Sequence, residues 1–435
     1  MTGKPSPGTP TRRAKGSGSG MIPTTGHVPA SGWSRRRTWW ICGLLFFGTV
    51  LNYLDRQVLA LTAERVIAEF HLTKEGFGHI LGAFRYAYAI FQLAGGWLVD
   101  AYGARTIYPA AVGLWSAAGF CTAFAGSLGM LAGLRFLLGV GEAFNWPCAL
   151  KVTQRLLPPS DRALANGLFN SGSAAGAMLA PVIVTFLALR FGYRSAFTVT
   201  GTLGLIWVLG WFWCVRGGQS ILAGKPVRMS HVLRIIARIV AMRNFWMLAV
   251  SAVIINGVNY FLADWIPLYL KTERGFSFGL GNALSVIVYA GLDAGNILMG
   301  LLVRELMARG LGAEAARSRA LVASCVCMSS AALVGFIPQR ALAIVLLVFT
   351  AIGVAGFLVI YLTLVQDLDP EHVGAAAGLL GGLGNLAYGA VSPYIGRLSD
   401  LHETTWTFLL VGLLPWLALS AILFGSKSRI YALSS

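Results

Sequence analysis

Charge is what this 435-residue chain has least of: Asp, Glu, Lys and Arg make up 12% of it, against about 25% in an ordinary soluble domain. Acids are the scarcer kind, 17 against 34 basic residues. Histidine is nearly as sparse. His27, His71, His79, His231, His372 and His402 fall in tails, loops and the ends of apolar segments, none beside an acidic partner at mid-segment. That distribution excludes an enzyme built on a histidine base or a histidine-held metal. The six cysteines (Cys42, Cys121, Cys148, Cys214, Cys325 and Cys327) lie in or beside apolar stretches. Cys325 and Cys327 are two apart, so on a helix they point in different directions and cannot share a metal; all six read as reduced structural thiols. No stretch has the composition of a folded soluble domain, which argues against a receptor with an output module. No metal and no cofactor are expected.

What the chain has instead is apolar length. It is 56% hydrophobic, with a mean hydropathy of +0.68, the composition of a polytopic membrane protein. A membrane span needs about 20 residues. Twelve apolar segments can be marked, at roughly 38–61, 77–99, 106–126, 128–149, 163–189, 195–215, 244–270, 278–302, 318–337, 341–366, 373–396 and 404–425. The expected fold is therefore all-α, with twelve transmembrane helices in two six-helix halves, 38–215 and 244–425. Residues 1–37, rich in Gly, Ser, Pro and Thr with seven Lys/Arg and no apolar run, read as a disordered cytoplasmic tail rather than a leader peptide. Residues 426–435 read as a second cytoplasmic tail.

The net charge of +17 invites a nucleic-acid partner, but its location answers otherwise. With the N-terminus inside, 23 Lys/Arg fall in inner segments and 8 in outer loops, as the positive-inside rule requires. The longest break, 216–243, carries Arg216, Lys225, Arg228, Arg234, Arg238 and Arg243 without an acid. It belongs on the cytoplasmic surface, where Met229 to Val240 is expected to form an amphipathic interfacial helix. The partners implied are membrane lipid and a small solute, not nucleic acid. The halves echo each other faintly: Asn52-Tyr53-x-Asp55 returns as Asn259-Tyr260-x3-Asp264. The Gly-rich, Pro-ended 170–181 returns as 381–393. Paired halves with Gly/Pro-interrupted helices are how secondary transporters build a central site that opens alternately to each side.

The rare charges inside the spans carry the chemistry, because a charge at bilayer depth costs about 2.5–3.5 kcal/mol on insertion scales and is kept for a pathway. Asp55 and Arg56 stand in the first segment, and Arg85, Tyr88 and Gln92 share a face of the second. Arg135, Gly139, Glu142 and Trp146 recur at i, i+4, i+7 and i+11 in the fourth. At 1.5 Å per residue, Asp55 lies about 8 Å and Arg135 about 10 Å from their outer ends, matching depths for a pair. Glu142 lies two turns deeper, where desolvation without a cation favours its neutral, proton-carrying form. Three arginines against two carboxylates give the cavity of the first half a net charge of +1, suited to a monoanion. Arg56 can grip a carboxylate with two parallel bonds, while Tyr53, Tyr88 and Asn385 match hydroxyls. Arg85 is counted with these cavity charges, the alternative being that its long side chain reaches outward to the interface.

The loop after the second segment, Gly96-x3-Asp100-x2-Gly103-x-Arg105, resembles the signature of the major facilitator superfamily, an inter-helix latch. In it Gly96 would allow close helix approach and Arg105 would supply a counter-charge. After the eighth segment Arg304-Glu305 stand where the pattern has an Asp. Asn52-Tyr-Leu-Asp-Arg56, Tyr88-x3-Gln92, Gly141-Glu-Ala-x-Asn-Trp-Pro147, Phe169-Asn-Ser-Gly-Ser173 and Gly384-Asn385 together resemble the anion:cation symporter family of that superfamily, more narrowly bacterial hexuronate, glucarate and galactonate proton symporters. The resemblance covers nearly all of the chain after about residue 38. It implies proton coupling through Asp55 and Glu142, with Arg135 partnering Asp55, and contact of Tyr53, Arg56, Tyr88 and Asn385 with a sugar acid. Ser173 occupies a position where galactonate carriers have Gln, and is closer to hexuronate carriers. The expectation is a monomeric transporter of the inner membrane with both termini cytoplasmic, coupling uptake of a small organic anion, a sugar acid such as a hexuronate, to H+ by alternating access. The alternative is a proton-driven exporter of the same fold carrying another organic anion or a drug.

Overall fold

The computed structural model describes residues 34–157, 159–216, 222–224, 229–369 and 372–432. Most of the expected tail 1–37 and about a third of the central loop, 217–221 and 225–228, therefore lie outside the described residues. Each of the twelve apolar segments is helical. The helices are α1 (Arg35–Leu61), α2 (Ala63–Glu69), α3 (Lys74–Tyr102), α4 (Ala104–Thr122), α5 (Leu128–Glu142), α6 (Asn145–Leu156), α7 (Pro159–Arg190), α8 (Arg194–Cys214) and α9 (Met229–Val240). They continue as α10 (Arg243–Asp264), α11 (Ile266–Thr272), α12 (Phe278–Ala308), α13 (Ala313–Ser329), α14 (Ala331–Val334), α15 (Arg340–Leu368), α16 (Val373–Asp400) and α17 (Thr404–Ala432). Among the described residues seven stretches, one of them α13 together with α14, are long and apolar enough to cross a membrane by those two criteria alone. Others, such as α1, carry the in-span charges or are broken. The α9 helix has the expected limits, whereas α17 runs past the expected end of the last span at 425.

The fourth, seventh and ninth segments each divide into two helices. Ser127 caps α5 by accepting the Met130 N–H at 3.2 Å, and α5 ends at Glu142, five residues before Pro147. The seventh segment repeats the device: α10 ends at Asp264, and Pro267 lies in the first turn of α11. Proline is tolerated in a first turn because that N–H has no helical partner anyway. In both segments a carboxylate is left at the carbonyl end of a helix, the end whose dipole disfavours negative charge.

Within the first half α1 packs on α7 and α8, α3 on α5, and α4 on α5 and α8; in the second, α12 packs on α15, α13 on α15 and α17, and α10 on α16 and α17. Small residues set the spacing. A Cβ on Gly172 or Gly176 would stand 2.6 Å from the carbonyl oxygens of Phe46 and Val50, so α7 reaches α1 by having no side chain there. Large apolar side chains such as Leu209, Phe191 and Trp213 point outward, each at least 70% exposed, which is a lipid-facing surface.

The halves are tied at one end. There α3 lies along α16 and α7 along α12. Asp400 accepts the backbone N–H groups of Lys74 and Glu75 at 2.9 and 3.0 Å, and Lys74 pairs with Glu273 at 2.8 Å. Lys271, buried, donates to the Leu61 carbonyl at 2.8 Å, and Asn282 donates to Thr185 at 2.9 Å. Tyr289 donates to Gln57 at 3.0 Å.

Candidate functional site

The central charges gather as two arginine–carboxylate pairs, and their partners differ from those the spacing predicts. Arg56 binds Glu142, with Nε at 3.1 Å and Nη2 at 2.8 Å from the same Oε2. Glu142 is fully buried, while Arg56 keeps 14% of its side chain exposed. Glu142 is therefore not without a cation. Around Arg56 stand three aromatic rings, Tyr53, Phe84 and Tyr88, with centroids 5.1, 5.2 and 5.0 Å from the guanidinium carbon, a cage that favours a cation. Asn52 is at the hydrogen-bond limit, 3.5 Å.

Asp55 and Arg135 do not pair as their depths predicted. Asp55 is 2% exposed and Arg135 3%. They are neighbours, with Thr200 also beside Asp55, but both Asp55 oxygens and the Nε and Nη2 of Arg135 lack a hydrogen bond of ordinary length. Arg135 instead faces the Phe197 ring at 5.6 Å. Depth along a helix follows from residue count, but the direction of each side chain follows from which neighbouring helix it meets. Trp146 does not continue the Arg135–Glu142 face, because the break after Glu142 puts it on α6, against Phe169 with centroids 4.7 Å apart.

Of the two readings open for Arg85, the structure has the inward one and not the interfacial one. Arg85 is 2% exposed and binds Asp264 of the second half at 2.8 Å. Its guanidinium carbon lies 3.8 Å from the centroid of Tyr260 and 5.3 Å from that of Tyr388, and Nη1 reaches Asn385 at 3.5 Å. Asp264 is the buried carboxylate that charge counting missed. Its echo of Asp55 in the repeat was the available signal. With it, three arginines face three carboxylates, and the surplus positive charge of the first half is cancelled.

Of the residues expected at the substrate, Tyr53, Arg56 and Tyr88 are together. Asn385 joins the adjoining Arg85 cluster, its Nδ2 held by the Gly381 carbonyl at 3.0 Å. Ser173 lies half-buried on α7, one residue past the close approach at Gly172. In the expected latch, Gly103 has φ +85° and a Cβ there would overlap the Leu222 carbonyl. Arg105 donates its backbone N–H to that carbonyl at 3.4 Å. Gly96 departs from expectation: an added Cβ would meet nothing within 4 Å, whereas the neighbouring Gly95 faces Pro147 at 3.5 Å. The Asp100 side chain lies outside the described residues. Glu305 pairs with Arg309 on its own helix at 2.8 Å.

Comparison with known proteins places this arrangement. The profile described as Major Facilitator Superfamily matches residues 45–389. The chain is 27% identical over 413 residues to a protein of Escherichia coli (strain K12) named "Probable galactarate/D-glucarate transporter GarP", covering 88% of this chain and 93% of that one. It is 28% identical over 401 residues to the hexuronate transporter of Bacillus subtilis (strain 168), covering 87% and 92%. Among solved structures, a bacterial homologue of the human lysosomal transporter Spinster superposes with a TM-score of 0.75 at 18% identity, over 91% of this chain and 98% of that one. The D-xylose–proton symporter does so with 0.71 at 14%, over 88% and 97%; at these identities they show the shared fold. The chain belongs to the Major Facilitator Superfamily, and is a multi-pass membrane transporter rather than an enzyme.

Proposed function

We propose that this transporter takes up a sugar acid together with protons by alternating access. The observation that carries the reading is Arg56: a partly exposed guanidinium, caged by Tyr53, Phe84 and Tyr88, whose two-toothed grip is occupied by the protein's own Glu142. A substrate carboxylate and Glu142 compete for one cation. Protonating Glu142 removes the competitor, and a returning anion keeps the charge of the buried site constant. Asp55, beside Arg135, is a second proton-accepting group on the same helix as Arg56. Tyr53, Tyr88, Asn385 and Ser173 supply hydroxyl and amide partners for the sugar chain.

The protein works as a monomer in the inner membrane with both termini cytoplasmic, so that the tied end of the helices, at Lys74 and Asp400, is the outer one. Protons enter from outside onto Glu142 and Asp55, and the sugar acid takes Arg56. The halves rock, and anion and protons leave at the higher internal pH. The segment around Gly103 and Arg105, with Gly96 and Asp100, latches the cytoplasmic side. In proteoliposomes loaded with a hexuronate, Glu142→Gln should abolish pH-driven net uptake and retain exchange of labelled for unlabelled substrate. Loss of both, or of neither, would overturn the role of Glu142 as proton carrier.

A further inference from the structure

The Arg85–Asp264 pair reproduces the Arg56–Glu142 pair point for point. Each couples an arginine to a carboxylate left at the carbonyl end of a helix, three to five residues before a proline. Each arginine lies against tyrosines, Tyr53 and Tyr88 for Arg56, Tyr260 and Tyr388 for Arg85. The two arginines flank one ring: their guanidinium carbons are 5.2 and 5.3 Å from the Phe84 centroid, which bounds their separation at about 10.5 Å. Both pairs are also under-bonded. Nε of Arg85 and Oε1 of Glu142 are buried without a hydrogen-bond partner, and Nη1 of Arg85 meets Asn385 only at 3.5 Å. A buried ion pair retained for structure repays its desolvation by filling its remaining donors and acceptors. These two leave them open.

We propose that Arg85 and Asp264 form a second carboxylate-exchange position next to that of Arg56 and Glu142, and that the transported sugar acid is a dicarboxylate, an aldarate, gripped at one end by each arginine. The inference rests on the sugar-acid reading above and names its substrate class. A six-carbon diacid spans roughly 6 Å between its carboxyl carbons, from ordinary C–C bond lengths, long enough to reach both guanidinium groups, whose carbons are at most about 10.5 Å apart, by lying alongside them. Charge decides against a single-ended acid as the preferred cargo. A monoanion displaces Glu142 alone and leaves Arg85–Asp264 closed. An aldarate displaces both internal carboxylates, each taking a proton, so two protons accompany two negative charges and the site stays balanced.

The groups facing these acids are consistent with that exchange. Asp264 is faced by Arg85, with Arg135 farther off and the phenols of Tyr289 and Tyr388 alongside. Glu142 is faced by Arg56, with Arg135 and Arg85 farther off, Tyr53 and Tyr88 alongside and the Asp55 carboxyl on α1 also within its field. Because Arg85 is on α3 and Asp264 on α10, a substrate that takes Arg85 also releases a tie between the halves.

The test uses the full chain, with galactarate and galacturonate as the two-ended and one-ended probes. In calorimetric titration the wild type should bind galactarate at least about tenfold more tightly, one extra charge-assisted contact of 1.4 kcal/mol or more. In proteoliposomes galactarate should enter with one proton more than galacturonate, the proton taken by Asp264. The charge-neutral double variant Arg85→Gln/Asp264→Asn should lose at least about tenfold more affinity for galactarate than for galacturonate. Equal or tighter galacturonate binding with equal proton counts overturns the inference, as does an unchanged galactarate-to-galacturonate ratio in the double variant. If that variant fails to fold, the two wild-type comparisons decide alone. A wild type that binds galacturonate but not galactarate defeats the dicarboxylate inference only, whereas one that binds no sugar acid defeats the sugar-acid reading itself.

Discussion

Two ion pairs of the same chemistry stand at the centre of this transporter, and they differ in what they join. Arg56–Glu142 lies wholly within the first half, between α1 and α5, and keeps 14% of the arginine side chain exposed. Arg85–Asp264 bridges α3 and α10 and is nearly sealed. Opening one changes the charge available to a ligand without separating anything. Opening the other also removes a bond between the halves. A transporter needs both kinds of event, and on the proposed reading each falls to an arginine on the first half facing a carboxylate at a helix end.

The sharpest way to break that comparison is to remove the internal grip. Arg56→Gln should weaken binding of any sugar acid by roughly 30-fold or more, since truncating one partner of a buried charge-assisted contact costs about 2–5 kcal/mol. Titration calorimetry reads it directly. The tie between the halves should survive, because none of its contacts involves Arg56. Retained affinity would remove Arg56 from the site and shift the grip to Arg85 or Arg135.

A smaller effect is expected where the bridging pair has neighbours. The tied end is built on close backbone approach: a Cβ on Gly82 would stand 2.8 Å from the Gly389 carbonyl oxygen. Gly82→Val therefore wedges the seam beside Arg85 at a cost of about 1–3 kcal/mol. That shifts the closed–open ratio at this end by roughly tenfold. Maleimide labelling of Ser399→Cys in a cysteine-free background reports it, because Ser399 is 8% exposed in the closed form. Faster labelling with binding preserved is the expected outcome. Labelling at the wild-type rate would mean that the seam does not depend on Gly82.

These two pairs also mark where the sequence could be read and where it could not. Apolar run lengths locate the helices, and the α9 limits follow from its amphipathic pattern. The rarity of in-span charge singles out Asp55, Arg56, Arg85, Arg135 and Glu142. Pairing is another matter. Matching depth favoured Asp55–Arg135, but α1 turns Arg56 toward α5, and the break after Glu142 delivers that carboxylate to it. Counting charges half by half hid Asp264, because its partner is on the other half. Gly96 and Gly95 are adjacent in sequence, and only the packing of Pro147 tells which of them a neighbour approaches. One-dimensional periodicity carries depth and face; the identity of the neighbour across the face comes from the tertiary arrangement.

Another arginine–carboxylate pair, in water, calibrates these two. Arg194 binds Glu69 at the end of α2, outside the membrane-spanning segments, with Tyr193 also donating to the carboxylate and both charged side chains more than a third exposed. The hydrogen bond from Arg194, followed by that from Tyr193, holds the Glu69 carboxyl below its usual range. A depressed carboxylate stabilises the fold above its ordinary pKa and loses that contribution as pH falls through the lowered value. Solvent screening keeps it small, under about 1 kcal/mol. Glu69→Gln should therefore lower thermal stability slightly at pH 7 and be indistinguishable from wild type once the pH falls below the carboxylate range. Melting curves of the purified protein at the two pH values check it. A difference that persisted or grew in acid would show that the pair acts through packing and not through charge, and would remove it as the solvated reference for Arg56–Glu142 and Arg85–Asp264.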